Sequence, residues 1–176
     1  MRTLGKPPQT RVIFLGSSTA RTSSSDPAQE MDKGIEPKTI IRVLLVDDHE
    51  VARRGIRSVL AGNPGLEVVG ESADGEEAIK KASELRPDII LLDISLPGIS
   101  GIDAARSVHK ISPETRVIFV SQHDSVRIAK DAMSFGASGY VVKSDAGRDL
   151  LAAIDAVQQG RTFVSRTLIA RGWTEN

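Results

Sequence analysis

The chain has 176 residues, equal numbers of basic and acidic side chains, and no cysteine. That length suits one domain of ordinary size plus tails, and the lack of cysteine excludes disulfides, thiolate metal sites and thiol catalysis. Hydrophobic residues make up 40% and aromatics only 3%, so the core must be built from Val, Ile, Leu and Ala. No apolar stretch approaches the ~18 residues that would cross a membrane. The neutral total hides a division. Residues 1–40 carry six basic and four acidic side chains, residues 41–160 carry 14 and 18, and residues 161–176 carry three and one. The mildly acidic centre has no nucleic-acid footprint.

Residues 1–39 are expected to be a disordered N-terminal extension. Ser, Thr, Pro and Gly fill 17 of the first 40 positions, so little apolar surface offsets the entropy of ordering. The run Val12-Ile13-Phe14-Leu15 is too short for a secretory signal. The first 25 residues lack acid and faintly mimic an organellar transit peptide. A solvated tail, or a natural start at Met31, explains the segment better.

From Ile40 the pattern changes. Ile40–Val46 reads as a strand ending in Asp47-Asp48-His49-Glu50. Ala52, Ile56, Val59 and Leu60 follow at helical spacing, and Gly62-Asn63-Pro64-Gly65 breaks that helix. Leu66–Gly70 is a short strand. Asp74 and Glu77 form a capping signature for a helix with Ala78, Ile79, Ala82 and Leu85 on one face, stopped by Pro87. Ile89–Leu92 has no polar residue, as in a strand covered on both faces, and it ends in Asp93. Ser100 and Asp103 cap a helix bearing Ile102, Ala105 and Val108. Val117–Val120 leads to Ser121. Val126, Ala129, Ala132 and Met133 mark a fourth helix, and Gly139–Val142 leads to Lys143. Leu150, Leu151, Ile154 and Val157 mark a fifth helix closed by Gly160. Strict alternation of five strands with five helices predicts a doubly wound parallel sheet in the order 2-1-3-4-5 over residues 40–160. Residues 161–176 read as a short tail with one or two helical turns around Leu168 and Ile169.

In such a sheet the strand ends share one edge, where ligands bind. Asp47, Asp48, Asp93, Ser121 and Lys143 all follow strands. Taken singly, each has a plainer reading: helix cap, turn residue or solvated lysine. Five at successive strand ends point to a site. Carboxylates packed together raise one another's pKa unless a cation holds them ionised. An oxygen-rich set without a motif His or Cys suits Mg²⁺. An ammonium, a hydroxyl and a cation around one carboxylate would cradle a phosphoryl group, and an aspartate can itself be the nucleophile.

Val-Leu-Leu-Val-Asp47-Asp48-His49, Pro87-Asp-Ile-Ile-Leu-Leu-Asp93-Ile-Ser-Leu-Pro97-Gly98, Val-Ile-Phe-Val-Ser121 and Gly139-Tyr140-Val-Val-Lys143 together resemble the receiver domain of bacterial two-component response regulators. The flavodoxin-like fold, a phosphorelay role and a cytoplasmic setting are what the resemblance implies. It also implies that Asp93 accepts a phosphoryl group from a sensor histidine kinase or phosphotransfer protein. Asp48, Asp93 and the backbone carbonyl of Ser95 would hold Mg²⁺, assisted by Asp47. Lys143 would pair with the phosphoryl oxygens, Ser121 would swing toward them, and Tyr140 would follow inward. The switched surface would be the fourth helix, fifth strand and fifth helix. Ser144 stands where many receivers have Pro, which removes the usual reason for a cis peptide. Ser95 and His123 would flank the phosphate and affect its hydrolysis.

Gly-Ala-Ser-Gly-Tyr-Val-Val-Lys-Ser and Gly160-Arg-Thr-Phe-Val-Ser165 resemble the LuxR/NarL-type subfamily. Its helix-turn-helix output has no counterpart before Asn176, so a stand-alone receiver, or a truncated transcriptional regulator of that type, is expected. The resemblance also suggests a phosphorylation-dependent homodimer. No region of the chain supplies a nucleic-acid recognition element or a membrane span, so no direct nucleic-acid or membrane binding is expected. A switch, not a turnover enzyme, is expected. An aspartyl phosphohydrolase usually offers a second Asp two residues beyond the first, where this chain has Ser95. A dinucleotide binder would need a Gly-rich turn where Asp47 and Asp48 stand.

Overall fold

A computed structural model describes residues 40–174. The disorder expected of residues 1–39 lies outside the described residues, as do residues 175–176. Strand β1 (Ile41–Val46) is followed by α1 (Glu50–Ala61), β2 (Leu66–Ser72), α2 (Gly75–Leu85), β3 (Ile89–Leu92) and α3 (Gly101–Ile111). Then come β4 (Arg116–Ser121), α4 (Val126–Met133), β5 (Gly139–Val142), a 3-10 turn (Lys143–Asp145) and α5 (Ala146–Gln158). The described chain closes with β6 (Phe163–Val164) and α6 (Arg166–Ala170).

All strand pairs are parallel, in the order β2-β1-β3-β4-β5-β6. The expected 2-1-3-4-5 order is therefore present, with one strand more than the five expected. That sixth strand is Phe163–Val164, paired with Gly139 and Tyr140. Two residues are too few to show a strand period, so hydrogen bonding to β5 creates the strand where sequence pattern does not.

The period of two places each strand between two cores. Ile90, Leu92, Leu44, Val46 and Phe119 face the layer of α2, α3 and α4. Ile89, Leu91, Val43, Leu45 and Ile118 face α1 and α5, against Ile56, Leu60, Leu150 and Ile154. All four side chains of β3 are fully buried, each worth about 1.5–3 kcal/mol relative to exposure. The helices on the first face present mainly alanines: Ala78, Ala82, Ala104, Ala129 and Ala132. Small side chains let those helices lie close over the sheet.

Local chemistry fixes where the helices begin. The Asp74 carboxylate accepts the Glu77 N–H at 2.8 Å, and the Ser100 hydroxyl accepts the Asp103 N–H at 3.2 Å. Both expected caps are thus formed. Helix α1 starts without a side-chain cap. Instead Asp47 Oδ1 accepts the His49 N–H at 2.9 Å. This ties the first carboxylate to the turn between β1 and α1.

Candidate functional site

The parallel strands deliver their terminal residues to one edge. Asp47, after β1, is 1% exposed, and Asp93, after β3, is 2% exposed. Lys143, after β5, reaches past β4 and places Nζ 2.7 Å from Asp47 Oδ2 and 2.7 Å from Asp93 Oδ2. Burial alone would push the Lys143 ammonium down. The hydrogen bonds and charges of Asp47 and Asp93 outweigh it and hold the pKa above the usual lysine value. Lysine is therefore a cation here, and two buried carboxylates share it.

Asp48 stands apart, with its side chain 34% exposed and its Oδ1 2.6 Å from His49 Nδ1. One ligand atom each from Asp47, Asp48, His49 and Asp93 lies within 4.8 Å of the others. Three carboxylates against one lysine leave an excess of negative charge that a divalent cation would balance. The donor set fits Mg²⁺, because its oxygens are hard and the outer one faces water. The imidazole of His49 is the part of this cluster to which the sequence pattern gives no role. It is exposed, yet it turns back onto Asp48, and its acidic neighbours in Asp47-Asp48-His49 were the available sign of that pairing.

The loops after β3 and β4 complete the edge. The Ser95 N–H donates to Asp93 Oδ1 at 3.3 Å, and Ser95 Oγ lies 3.1 Å from His123 Nε2. The contact joins two loops distant in sequence. Ser121 is buried, and its Oγ accepts the His123 N–H at 3.2 Å. Tyr140 is buried within β5 and donates its hydroxyl to the His123 carbonyl at 2.8 Å. Burial pushes that hydroxyl up from 10 to about 12, against a hydrogen bond with Ser121 that works the other way. Tyr140 therefore already stands in the inward position, and His123 holds three of the edge's groups. The Lys143–Ser144 peptide is trans and opens the 3-10 turn.

One glycine is required by the site. A Cβ on Gly101 would lie 1.9 Å from the Asp93 carbonyl oxygen. The Gly101 N–H donates to the Ile94 carbonyl at 2.9 Å. The start of α3 therefore rests directly on the backbone of the central carboxylate. Nearby, an apolar cleft of about 310 Å³ runs between α1 and α5, lined by Ala52, Gly55, Ile56, Val59, Gly147 and Lys143.

The family model of the response regulator receiver domain matches residues 43–155. The chain belongs to that family. Response regulator GacA of Pseudomonas viridiflava is 39% identical over 126 residues, covering 72% of this chain and 59% of GacA. Response regulator UvrY of Escherichia coli K12 is 36% identical over 126 residues, covering 72% of this chain and 58% of UvrY. This chain thus spans about three-fifths of the length of these curated relatives. A LuxR-family two-component response regulator from Aurantimonas sp. SI85-9A1 superposes with a TM-score of 0.71 at 37% identity, covering 74% of this chain and 94% of that one. The isolated receiver domain of RcsB from Salmonella enterica serovar Typhimurium, solved with the phosphomimetic BeF₃⁻, gives a TM-score of 0.70 at 26% identity over 74% of this chain and 97% of that one. The receiver fold and the likeness to the LuxR/NarL type are therefore shown. Among the described residues, no helix is long and apolar enough to cross a membrane.

Proposed function

We propose that this receiver is a cytoplasmic phosphorelay switch whose phosphoacceptor is Asp93. The observation that carries the reading is the Lys143 ammonium, held 2.7 Å from both Asp47 and Asp93 at the carboxyl edge of the sheet. An Asp93 carboxylate oxygen attacks the phosphorus of a phosphohistidine on a sensor kinase or phosphotransfer protein. The phosphorus–nitrogen bond breaks, and its electron pair returns to the imidazole. Lys143 follows the charge from the carboxylate to the phosphoryl oxygens. The Ser121 hydroxyl turns from the His123 N–H and donates its O–H to a phosphoryl oxygen. Asp48, Asp93 and the Ser95 carbonyl, with Asp47 nearby, would hold a Mg²⁺ ion, which when bound neutralises charge on the transferred group. The apolar cleft between α1 and α5 offers the donor protein a surface beside Lys143.

Acetyl phosphate with Mg²⁺ is expected to add one acid-labile phosphoryl group, seen as a single mass increment. Asp93→Asn should abolish it, and persistent labelling of that variant would sink the assignment. The chain is read as acting by partner binding, not as a turnover enzyme. We also propose a homodimer that forms on phosphorylation; a relative supports dimer formation alone, since one solved structure holds two RcsB dimers bound to two parallel DNAs. Sedimentation with and without beryllofluoride tests this. A monomer in both conditions would count against it.

A further inference from the structure

We propose that the segment Phe163–Trp173 is a latch, in which the Arg171–Asp124 ion pair couples the state of Asp93 to the docking of Trp173 on α4. The inference rests on the reading of Asp93 as phosphoacceptor and adds a positioning role for residues outside the site.

The segment has two parts held in different ways. Its first part is bound firmly to β5 and α5. The Ser165 N–H donates to the Tyr140 carbonyl at 2.9 Å, and Ser165 Oγ accepts the Val142 N–H at 3.0 Å. The Arg166 N–H donates to the buried Asp149 carboxylate at 3.3 Å, and the Thr167 hydroxyl donates to Asp145 at 2.6 Å. Leu168 is fully buried in the first core.

Past Leu168 the Trp173 N–H still donates to the Leu168 carbonyl at 2.9 Å, but the side-chain contacts pass to α4 and the loop before it, and these are weaker. Arg171 pairs with Asp124 at 2.6 Å, but the two side chains are 53% and 45% exposed. Solvent screens such a pair, so little free energy holds it. The Trp173 ring packs on α4 with Lys130 Nζ 5.9 Å from its centre. A cleft of about 240 Å³ remains between it and Lys130, Met133 and Ser134. Its indole N–H is buried without an acceptor among the described residues, a standing penalty on the docked state. The side chains of the outer part are thus poised to leave α4 while the inner part stays.

What Arg171 grips is the loop that reads the site. Asp124 follows His123, whose N–H, carbonyl and ring engage Ser121, Tyr140 and Ser95. A phosphoryl group on Asp93 accepts the Ser121 O–H, and the turn of Oγ toward it draws that oxygen off the His123 N–H. The loop then shifts and carries Asp124 away from Arg171, releasing Trp173. Coupling of this kind is reciprocal. Weakening the latch must favour the modified state of Asp93.

Trp173 is the only tryptophan in the chain and reports its own docking. In the full chain, beryllofluoride with Mg²⁺ should shift its emission to the red and increase acrylamide quenching. Arg171→Ala should produce both changes without beryllofluoride, and should tighten apparent beryllofluoride affinity by about two- to five-fold, the range that an exposed ion pair supplies. The swap Arg171→Asp with Asp124→Arg should restore wild-type quenching and affinity, which a merely structural role of Arg171 would not. Acetyl phosphate labelling, followed by mass, separates the two readings. A chain that takes the label while Trp173 stays unchanged overturns the latch alone. A chain that takes no label overturns the phosphoacceptor reading and the latch with it. An Arg171→Ala variant with unaltered affinity, or a swap that restores nothing, also overturns the latch.

Discussion

The two sides of the site edge are held by different kinds of bond. On the side of β1 and β3, buried Asp47 and Asp93 are paired with one ammonium. On the side of β4 and β5, Ser121 and Tyr140 are neutral, and each is tied to the backbone of His123 by a single hydrogen bond. Breaking a buried ion pair leaves an uncompensated charge and costs about 3–5 kcal/mol, whereas a neutral hydrogen bond is worth about 1 kcal/mol net. The acidic side is therefore fixed by folding, and the neutral side is free to change partners. A phosphorylation switch needs both: a reacting carboxylate that stays in place, and a neighbour that moves once its charge changes.

The hardest test of this contrast is Lys143→Met. It leaves Asp47 and Asp93 buried without their cation, and urea denaturation should show a loss of about 3–5 kcal/mol. Mg²⁺ should recover part of it, because a divalent ion can take over the charge compensation. Removing Mg²⁺ with a chelator should return the variant to its less stable form. If the variant were as stable as wild type in the absence of Mg²⁺, the acidic side would not be held as described.

A smaller effect is expected at Gly101, which supports the acidic side from below. Gly101→Ala puts a methyl group 1.9 Å from the Asp93 carbonyl oxygen. Backbone must shift, at a cost of about 1–3 kcal/mol, and acetyl phosphate labelling should slow because the carboxylate moves with its own backbone. Gly55→Ala in α1 is the control. A Cβ there meets nothing within 4 Å, so the variant should gain about 0.5–1 kcal/mol from helix propensity. Equal behaviour of the two variants would show that the close approach at Gly101 is unimportant.

Much of this arrangement was legible in the sequence, for a physical reason. In a parallel sheet every strand points the same way, so a polar residue after each apolar run must reach the same edge. Asp47, Asp93, Ser121 and Lys143 could be grouped on that ground alone, and the alternating cores follow from the period of two. Contacts between loops have no period. Nothing local in His123 announces that it meets Ser95, Ser121 and Tyr140, nor in Arg171 that it reaches Asp124. The same holds for β6, whose two residues become a strand by pairing with β5. Gly101 reads as an ordinary helix start after its Ser100 cap. Its role depends on how closely α3 settles over Asp93.

The smallest expected effect lies on the neutral side, at Tyr140. Tyr140→Phe keeps the buried ring and removes the hydrogen bond to the His123 carbonyl, so the loss near neutral pH should be about 1 kcal/mol. The change has a second signature. Burial first of all pushes the hydroxyl up from 10 to about 12, so the folded chain keeps this proton where the unfolded chain loses it. The stabilisation is complete below pH 10 and is lost as pH rises from 10 through about 12. Wild type should therefore lose stability faster than the variant across that window, and the two denaturation midpoints should converge. Midpoints that keep a constant separation from pH 9 to 12 would mean that the hydroxyl is not buried against His123. The neutral side would then lack one of the two bonds that tie it to the loop.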